Sequence, residues 1–328
     1  MRHAFYDRTG PAAEVLQVAD APEPQPGPGE LRVRMRWSGV NPSDVKSRAG
    51  LRSKVMAFPR IVPHSDGMGV VDAVGDGVAR ARLGQRVWVW NAAWGRASGT
   101  AAQQVVLPQR QAVALPDGTP DAAGACLGIP ALTALHAMLC GEGVAGRTVL
   151  VAGGAGAVGH YAIQFARLLG AAQVLASVSG PAKAAHARAA GADEVINYKS
   201  EDLVARVRDL TGGRGVQRVV EVDVAANGAL DAELLAPEGE LVVYGSGAGQ
   251  FSLPFFPLIV KNLVLRNFIV YNLPDAERAR AEATLTAMLA RGVLQHAVAA
   301  RYPLAQIVAA HEALETGQVM GNVLVELD

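Results

Sequence analysis

Cysteine is nearly absent from this chain, with only Cys126 and Cys140 among 328 residues. Two cysteines cannot build a disulfide framework or a four-cysteine structural zinc site, and they fit a reducing compartment. Charge of one sign is missing too: 30 basic residues balance 30 acidic ones. A neutral chain without a basic run offers no electrostatic ground for binding nucleic acid or an anionic membrane. Aromatic residues make up only 5%. No apolar run approaches the roughly 20 residues that a transmembrane helix needs. The first residues, Met1 to Arg8, are polar and mixed in charge, unlike a secretory leader, so the cytoplasm is the expected location.

What the chain has is glycine, 36 residues of it, and abundant alanine, which suit tight turns and close packing of helix on sheet. Its length allows two domains. The first 120 residues read as short strands broken by turns: an initial hairpin, the turn-rich Pro22–Gly29, then strands at Leu31–Trp37, Val70–Val74 and Arg86–Trp90. After Pro120 the texture changes. Thr148–Ala152 is a wholly apolar run flanked by glycines, as a buried parallel strand requires, and Tyr161–Leu169 follows with helical spacing. Strand and helix then alternate through Glu240–Tyr244. A further strand lies beyond Leu263, followed by a helix at Asp275–Arg291 and a last strand at Asn322–Glu326. Such alternation specifies an α/β fold with a doubly wound parallel sheet.

Directly after the Thr148–Ala152 strand comes Gly154-Ala155-Gly156-Ala157-Val158-Gly159, a full G-x-G-x-x-G between strand and helix. In that setting the first glycine permits a tight turn and the second admits a pyrophosphate to the backbone. The third lets the helix pack on the sheet with its N-terminal N–H groups, those of Ala157 and Val158 included, facing the phosphates. An NAD site carries an acid about 20 residues on, at the end of the second strand. Here that strand ends Ser177-Val178-Ser179-Gly180, and no Asp or Glu occurs between Glu142 and Asp193. Lys183 follows the strand, and Tyr198 and Lys199 close the third. Hydroxyls and a cation suit a ribose 2′-phosphate, so the expected cofactor is NADPH. Lys183 is equally compatible with a solvated helix face.

Catalytic zinc takes three protein ligands from Cys, His and acids. No cysteine lies before Cys126; His64 neighbours Ser65 and Asp66, while the other histidines are scattered without ligand spacing. No metal is expected. Without a Lewis acid, reduction of an acceptor already activated by conjugation is favoured over alcohol oxidation.

Several segments together resemble one family. Gly39-Val40-Asn41-Pro42-Ser43-Asp44 is similar to the GVNPxD segment of the zinc-independent, zeta-crystallin-like quinone oxidoreductases. These belong to the medium-chain dehydrogenase/reductase superfamily. Ser65-Asp66-Gly67-Met68-Gly69 resembles their GSDxAG stretch, and Gly128-Ile129-Pro130 with Thr133-Ala134 their GIPxxTA segment. Further matches are Gly191-Ala192 through Ile196-Asn197-Tyr198, Glu221 with Asn227, Tyr302-Pro303-Leu304 and Gly321-Asn322-Val323-Leu324. Asn41 falls where zinc-dependent relatives place a cysteine, and Ser65 where they place a histidine.

The resemblance implies a GroES-like β catalytic domain, 1–120 with 261–328, and a Rossmann NADPH-binding domain, 121–260, inserted into it, with the active-site cleft at their junction. By the same resemblance Asn41, Asp44 and Thr133 lie near the nicotinamide, and Gly245, Ser246 and Asn322 line the cofactor from the other side. Lys183 and Tyr198 then hold the 2′-phosphate. Relatives commonly form homodimers or homotetramers through the Rossmann sheet. Two residues depart from the family: Lys46 stands where many relatives have tyrosine, and Asn322 where they usually have lysine. Asn41 and Asp44 are also turn formers in their own right.

The expected activity is hydride or electron transfer from NADPH to a quinone, by orientation and exclusion of water. Reduction of a C=C bond in an enone, alkenal or enoyl thioester is the alternative, with Lys46 or Tyr271 as proton donor. A non-catalytic NADPH-binding role is the third reading. Ala92–Gly99 and Gly247–Leu258 are the loops expected to set acceptor specificity. Phe251, Phe255 and Phe256 belong to an acceptor wall, to a core or to an interface.

Overall fold

A computed structural model describes residues 1–327. It divides into two compact units, 1–130 with 286–328 and 131–285.

In the first unit, Arg2–Phe5 pairs with Gln17–Asp20 as an antiparallel hairpin. The main sheet is built around the long strand Glu30–Val40, where alternation is strict at the start. Leu31, Val33 and Met35 are buried, while Arg32, Arg34 and Arg36 point away. Asp72 accepts from Arg32 at 2.7 Å, and Asp121 ties Arg36 at 2.6 Å to Arg86 at 2.6 Å. Glu30–Val40 pairs antiparallel with Asp66–Val74, with Gln104–Pro108 and, at its far end, with Asn322–Glu326. Val40 therefore lies opposite Val323, and residues from opposite ends of the chain meet beside Asn41. Val298–Pro303 extends the sheet alongside Asn322–Glu326, and Arg86–Val89 and Ala112–Ala114 extend it on the other side.

The second unit is a six-stranded parallel sheet. Its spatial order is Glu194–Asn197, Gln173–Val178, Thr148–Val151, Val216–Glu221, Leu235–Val243, Val264–Asn267. The strand that opens the unit sits inside the sheet and later strands add outward on both sides, which is the doubly wound arrangement. The inner strands are buried because helices cover the sheet. Below the C-terminal end of the Leu132–Leu139 helix, Arg218 is fully buried. It donates to the carbonyls of Ala137 at 2.8 Å and Cys140 at 3.0 Å and pairs with Glu240. The cation thereby serves otherwise orphaned helix carbonyls while its charge is matched. Among the described residues no helix is long and apolar enough to cross a membrane.

Several elements lie beyond the sequence reading. Pro42–Arg48 is a helix, a π-helical turn at Leu127–Ala131 leads into the Leu132–Leu139 helix, and Ile307–Glu315 is helical.

Candidate active site

The Gly154–Gly159 turn connects Thr148–Val151 to the Ala157–Leu168 helix. The left-handed residue of this turn is Gly153, at φ +66°, one position ahead of the motif. Gly154 instead needs its lack of Cβ for packing, since a Cβ there would meet that of Ala176 at 2.8 Å. Its N–H bonds the Ser177 carbonyl at 3.0 Å, tying the turn to the second strand. A Cβ on Gly159 would overlap the Gly153 carbonyl, whereas one on Gly156 would meet only that carbonyl, at 3.4 Å. Gly156, Ala157 and Val158 remain partly exposed. The backbone is thus tight beneath the turn and open above it, as an approaching pyrophosphate requires.

Ser177 is buried in its strand, with Ser179 in the loop after it and Lys183 in the first turn of the Pro181–Ala189 helix. Tyr198 directly follows the neighbouring strand, bonded through its N–H to the Val178 carbonyl at 3.1 Å, and is half exposed. Lys199 lies 5.6 Å over its ring. The ends of these two adjacent strands thus carry hydroxyls and cations, and the nearby Glu201 carboxylate is taken up by the Asn197 N–H at 2.8 Å and by Arg206 at 3.2 Å. Asp193, the first acid after Glu142, is engaged elsewhere, with Arg167 at 2.7 Å and the Val174 N–H at 2.8 Å.

Gly245 and Ser246 follow Leu235–Val243; a Cβ on Gly245 would overlap the Val222 carbonyl, and the Ser246 hydroxyl donates to the Ala248 carbonyl at 2.7 Å. Thr133 is buried in the first turn of its helix. A cavity of about 430 Å³ in this unit is lined by residues such as His136, Arg266 and Glu277, and by none of the expected cofactor residues.

In the other unit Asn41 and Asp44 prove to be both cap and site candidate. Asn41 is the N-cap of Pro42–Arg48 and forms a capping box with Asp44, whose Oδ2 accepts from the Asn41 N–H at 2.8 Å. The Asn41 side chain turns inward and donates to Asp66 Oδ2 at 2.9 Å, which also accepts from the Ile129 N–H at 2.9 Å. Asp66 is fully buried and its Oδ1 has no partner. Burial first, and the neighbouring Asp44 second, hold the Asp66 carboxyl well above the usual carboxylate range. Burial also raises Asp44 to about 7, against the Asn41 N–H first and Arg52 second, which pull it down. Tyr6, facing Asp44, is pushed up to about 12, mostly by burial.

Asp66 thus fastens Asn41 to the segment preceding Thr133. In the sequence Asp66 stands only as part of the Ser65–Gly69 segment, with no local signal that sets it apart. Asn322 opens its strand with both its N–H and side-chain amide on the Ala297 carbonyl, at 2.8 and 2.9 Å. Lys46 sits on the Pro42–Arg48 helix, half buried.

His64 adopts φ +75° and is fully buried, bonded to Ser38 at 2.8 Å and to His311 at 2.9 Å. Burial lowers both imidazoles, so the pair is neutral. Among the described residues no three His, Cys, Asp or Glu side chains gather as ligands for a metal ion would. Phe251, Phe255 and Phe256 are 42%, 65% and 75% exposed, which removes them from any core of this chain.

A β domain holding an Asn-Pro helix cap, joined in one chain to a doubly wound dinucleotide-type sheet, defines the medium-chain dehydrogenase/reductase class. Residues 27–117 match the alcohol dehydrogenase GroES-like domain and residues 157–288 the zinc-binding dehydrogenase domain. A quinone oxidoreductase of Pseudomonas aeruginosa is 31% identical over 95% of this chain and 95% of its own. A 2-haloacrylate reductase of a Burkholderia species is 31% identical over 90% of each. Among solved structures, a quinone oxidoreductase of Escherichia coli complexed with NADPH superposes with TM-score 0.88 at 27% identity, covering 99% of this chain and 100% of that one. An NAD-dependent alcohol dehydrogenase superposes with TM-score 0.91 at 30% identity, covering all of both chains. The chain belongs to the zeta-crystallin-like quinone oxidoreductase family of that superfamily.

Proposed function

We propose that this protein is an NADPH-dependent reductase of quinones. The observation that carries the reading is the end of the Gln173–Val178 strand beside the glycine turn, where Ser179 and Lys183 stand without an acid, with Tyr198 at the end of the adjacent strand and Glu201 held by the Asn197 N–H and Arg206. A ribose 2′-phosphate carries nearly two negative charges, which an acid at that place would repel and a lysine attracts. This favours NADPH over the cofactor of the NAD-dependent neighbour. The turn fits a dinucleotide because only glycine clears the Gly153 carbonyl at position 159.

When bound, NADPH supplies a hydride to the acceptor. The chain's part is to bind and orient. Gly154, Gly156, Ala157, Val158 and Gly159 present backbone to the pyrophosphate. Ser177, Ser179, Lys183 and Tyr198 take the adenosine end, and Gly245, Ser246 and Asn322 the other. Asn41, Asp44 and Thr133 border the reacting ring, and Asp66 keeps the Asn41 amide in place. A quinone needs no metal to accept a hydride, and its reduced anion takes a proton from water.

C=C reduction is the second reading, favoured by the similarity to the 2-haloacrylate reductase. It requires a placed proton, and Lys46 and the buried Tyr271 are the groups to test. A cytoplasmic location accompanies either reading.

We also propose that the protein is a homodimer. Val264–Asn267 is the free edge of the parallel sheet, and Val264 and Leu265 are 38% exposed. Beside it Phe255, Phe256, Ile259 and Val260 are exposed on one short helix, an apolar patch that a second copy would cover. The deciding experiment follows NADPH and NADH oxidation against a panel of quinones and enones, after chelator treatment. Quinone-dependent oxidation that prefers NADPH is expected; strong NADH preference would overturn the role of Lys183 and Tyr198.

A further inference from the structure

Between Asp44 and Asp66 the chain carries five cations, Lys46, Arg48, Arg52, Lys54 and Arg60, and no acid. This segment begins in the last turn of the Pro42–Arg48 helix and continues beyond it. It stands out in a chain whose charges otherwise balance, so where each cation goes is informative.

Two of the five serve the fold. Arg48 is buried, pairs with Glu315 and donates to the Gly10 carbonyl at 2.6 Å. Arg60 stacks over Phe5 at 3.9 Å. Lys46 is half buried on the helix, one residue past Val45 and two past Asp44. Arg52 and Lys54 are exposed and form no ion pair among the described residues. Arg52 follows the helix closely, since the Leu51 N–H bonds the Lys46 carbonyl at 2.9 Å, and its charge acts on the Asp44 carboxyl. The same segment exposes Leu51 at 74% and Val55 at 83%. Leu51 and Val55 interleaved with the exposed cations Arg52 and Lys54 offer a body of conjugated carbon one contact and an attached anion another.

We infer that the acceptor carries an anionic substituent, a carboxylate, sulfonate or phosphate, received by Arg52 and Lys46 with Lys54 at the approach. The inference rests on the reading that Asn41 and Asp44 border the acceptor and names the class of acceptor for that same site.

The test uses matched acceptors that differ in charge: 1,2-naphthoquinone against its 4-sulfonate, an unsaturated acid against its methyl ester, and crotonyl-CoA against the uncharged crotonyl N-acetylcysteamine thioester. A gain for the acid or sulfonate points to a small anion, and a gain confined to the CoA thioester points to carrier phosphates. The wild type is expected to favour an anionic member by about tenfold in kcat/KM, mostly through KM, with the preference falling as salt rises. Arg52→Gln should cut that preference about tenfold and Arg52→Glu should invert it. Saturation-transfer NMR with naphthalene-2-sulfonate and 2-naphthol reads the same preference without turnover. Turnover of neutral acceptors with no anionic preference, unmoved by Arg52→Gln, would overturn this inference while leaving the reductase reading intact. Turnover of no quinone or enone at all would overturn both.

Discussion

Replacing Asp44 by asparagine should reverse its effect on stability between acid and neutral pH. The carboxyl is buried and accepts from the Asn41 N–H at 2.8 Å, and burial raises it to about 7. In the unfolded chain the same group titrates near 3.9. Because the folded value is the higher one, folding favours the protonated acid. That contribution is complete below about pH 4 and is lost as pH rises to about 7. The gap between the two values corresponds to about 4 kcal/mol of lost stability across that window. Asparagine keeps a carbonyl oxygen for the Asn41 N–H but does not ionise, so the whole of this pH-dependent loss should vanish. Below pH 4 the variant should be less stable by about 1 kcal/mol, the worth of a weakened capping bond. Above pH 7 it should be more stable by about 3 kcal/mol, the difference between those two figures. Urea unfolding of both proteins from pH 4 to pH 9 measures this as the difference between two curves, which cancels every other titrating group. Parallel curves would refute the reasoning and show that Asp44 ionises in the fold without cost.

Other changes test other parts of the site. Gly159→Ala places a Cβ into the Gly153 carbonyl and should weaken NADPH binding at least about tenfold, read by fluorescence titration, because the turn must open to accept it. Lys183→Glu should lower the NADPH to NADH preference by about a hundredfold in kcat/KM, as a charge reversal beside a phosphate; an unchanged ratio places the 2′-phosphate elsewhere. Asp66→Ala removes the acceptor for both Asn41 and the Ile129 N–H and should lower kcat with a loss of about 2–4 kcal/mol in stability. Asp66→Asn, which preserves a carbonyl for both bonds, should retain most of the activity, and equal damage from the two variants would show that Asp66 acts by its charge. Phe256→Asp with Val260→Asp should convert a dimer to a monomer in analytical ultracentrifugation; an unchanged mass would place the interface away from this patch.

Local sequence was decisive wherever the physics is local. The alternation of apolar strands and amphipathic helices after Pro120, and the glycines between the first strand and its helix, specify a doubly wound sheet and the tight turn that opens it. Backbone clearance and hydrophobic period are properties of a few consecutive residues. The missing acid between Glu142 and Asp193 is likewise a plain fact of the chain. Tertiary structure decided the rest. Asn322 lies beside Val40 and Asn41 only because the last strand pairs with the end of a strand near the N-terminus, and no local pattern encodes that pairing. Gly153, not the motif's first glycine, takes the left-handed conformation, because the strand's exit from the sheet fixes where the chain must turn. His64 and His311, scattered in sequence, are one neutral buried pair. Asp66 looks like any acid in a strand until the fold brings Asn41 and Ile129 to the same oxygen. A carboxyl's protonation depends on the water and charge around it, and only the packed chain determines those.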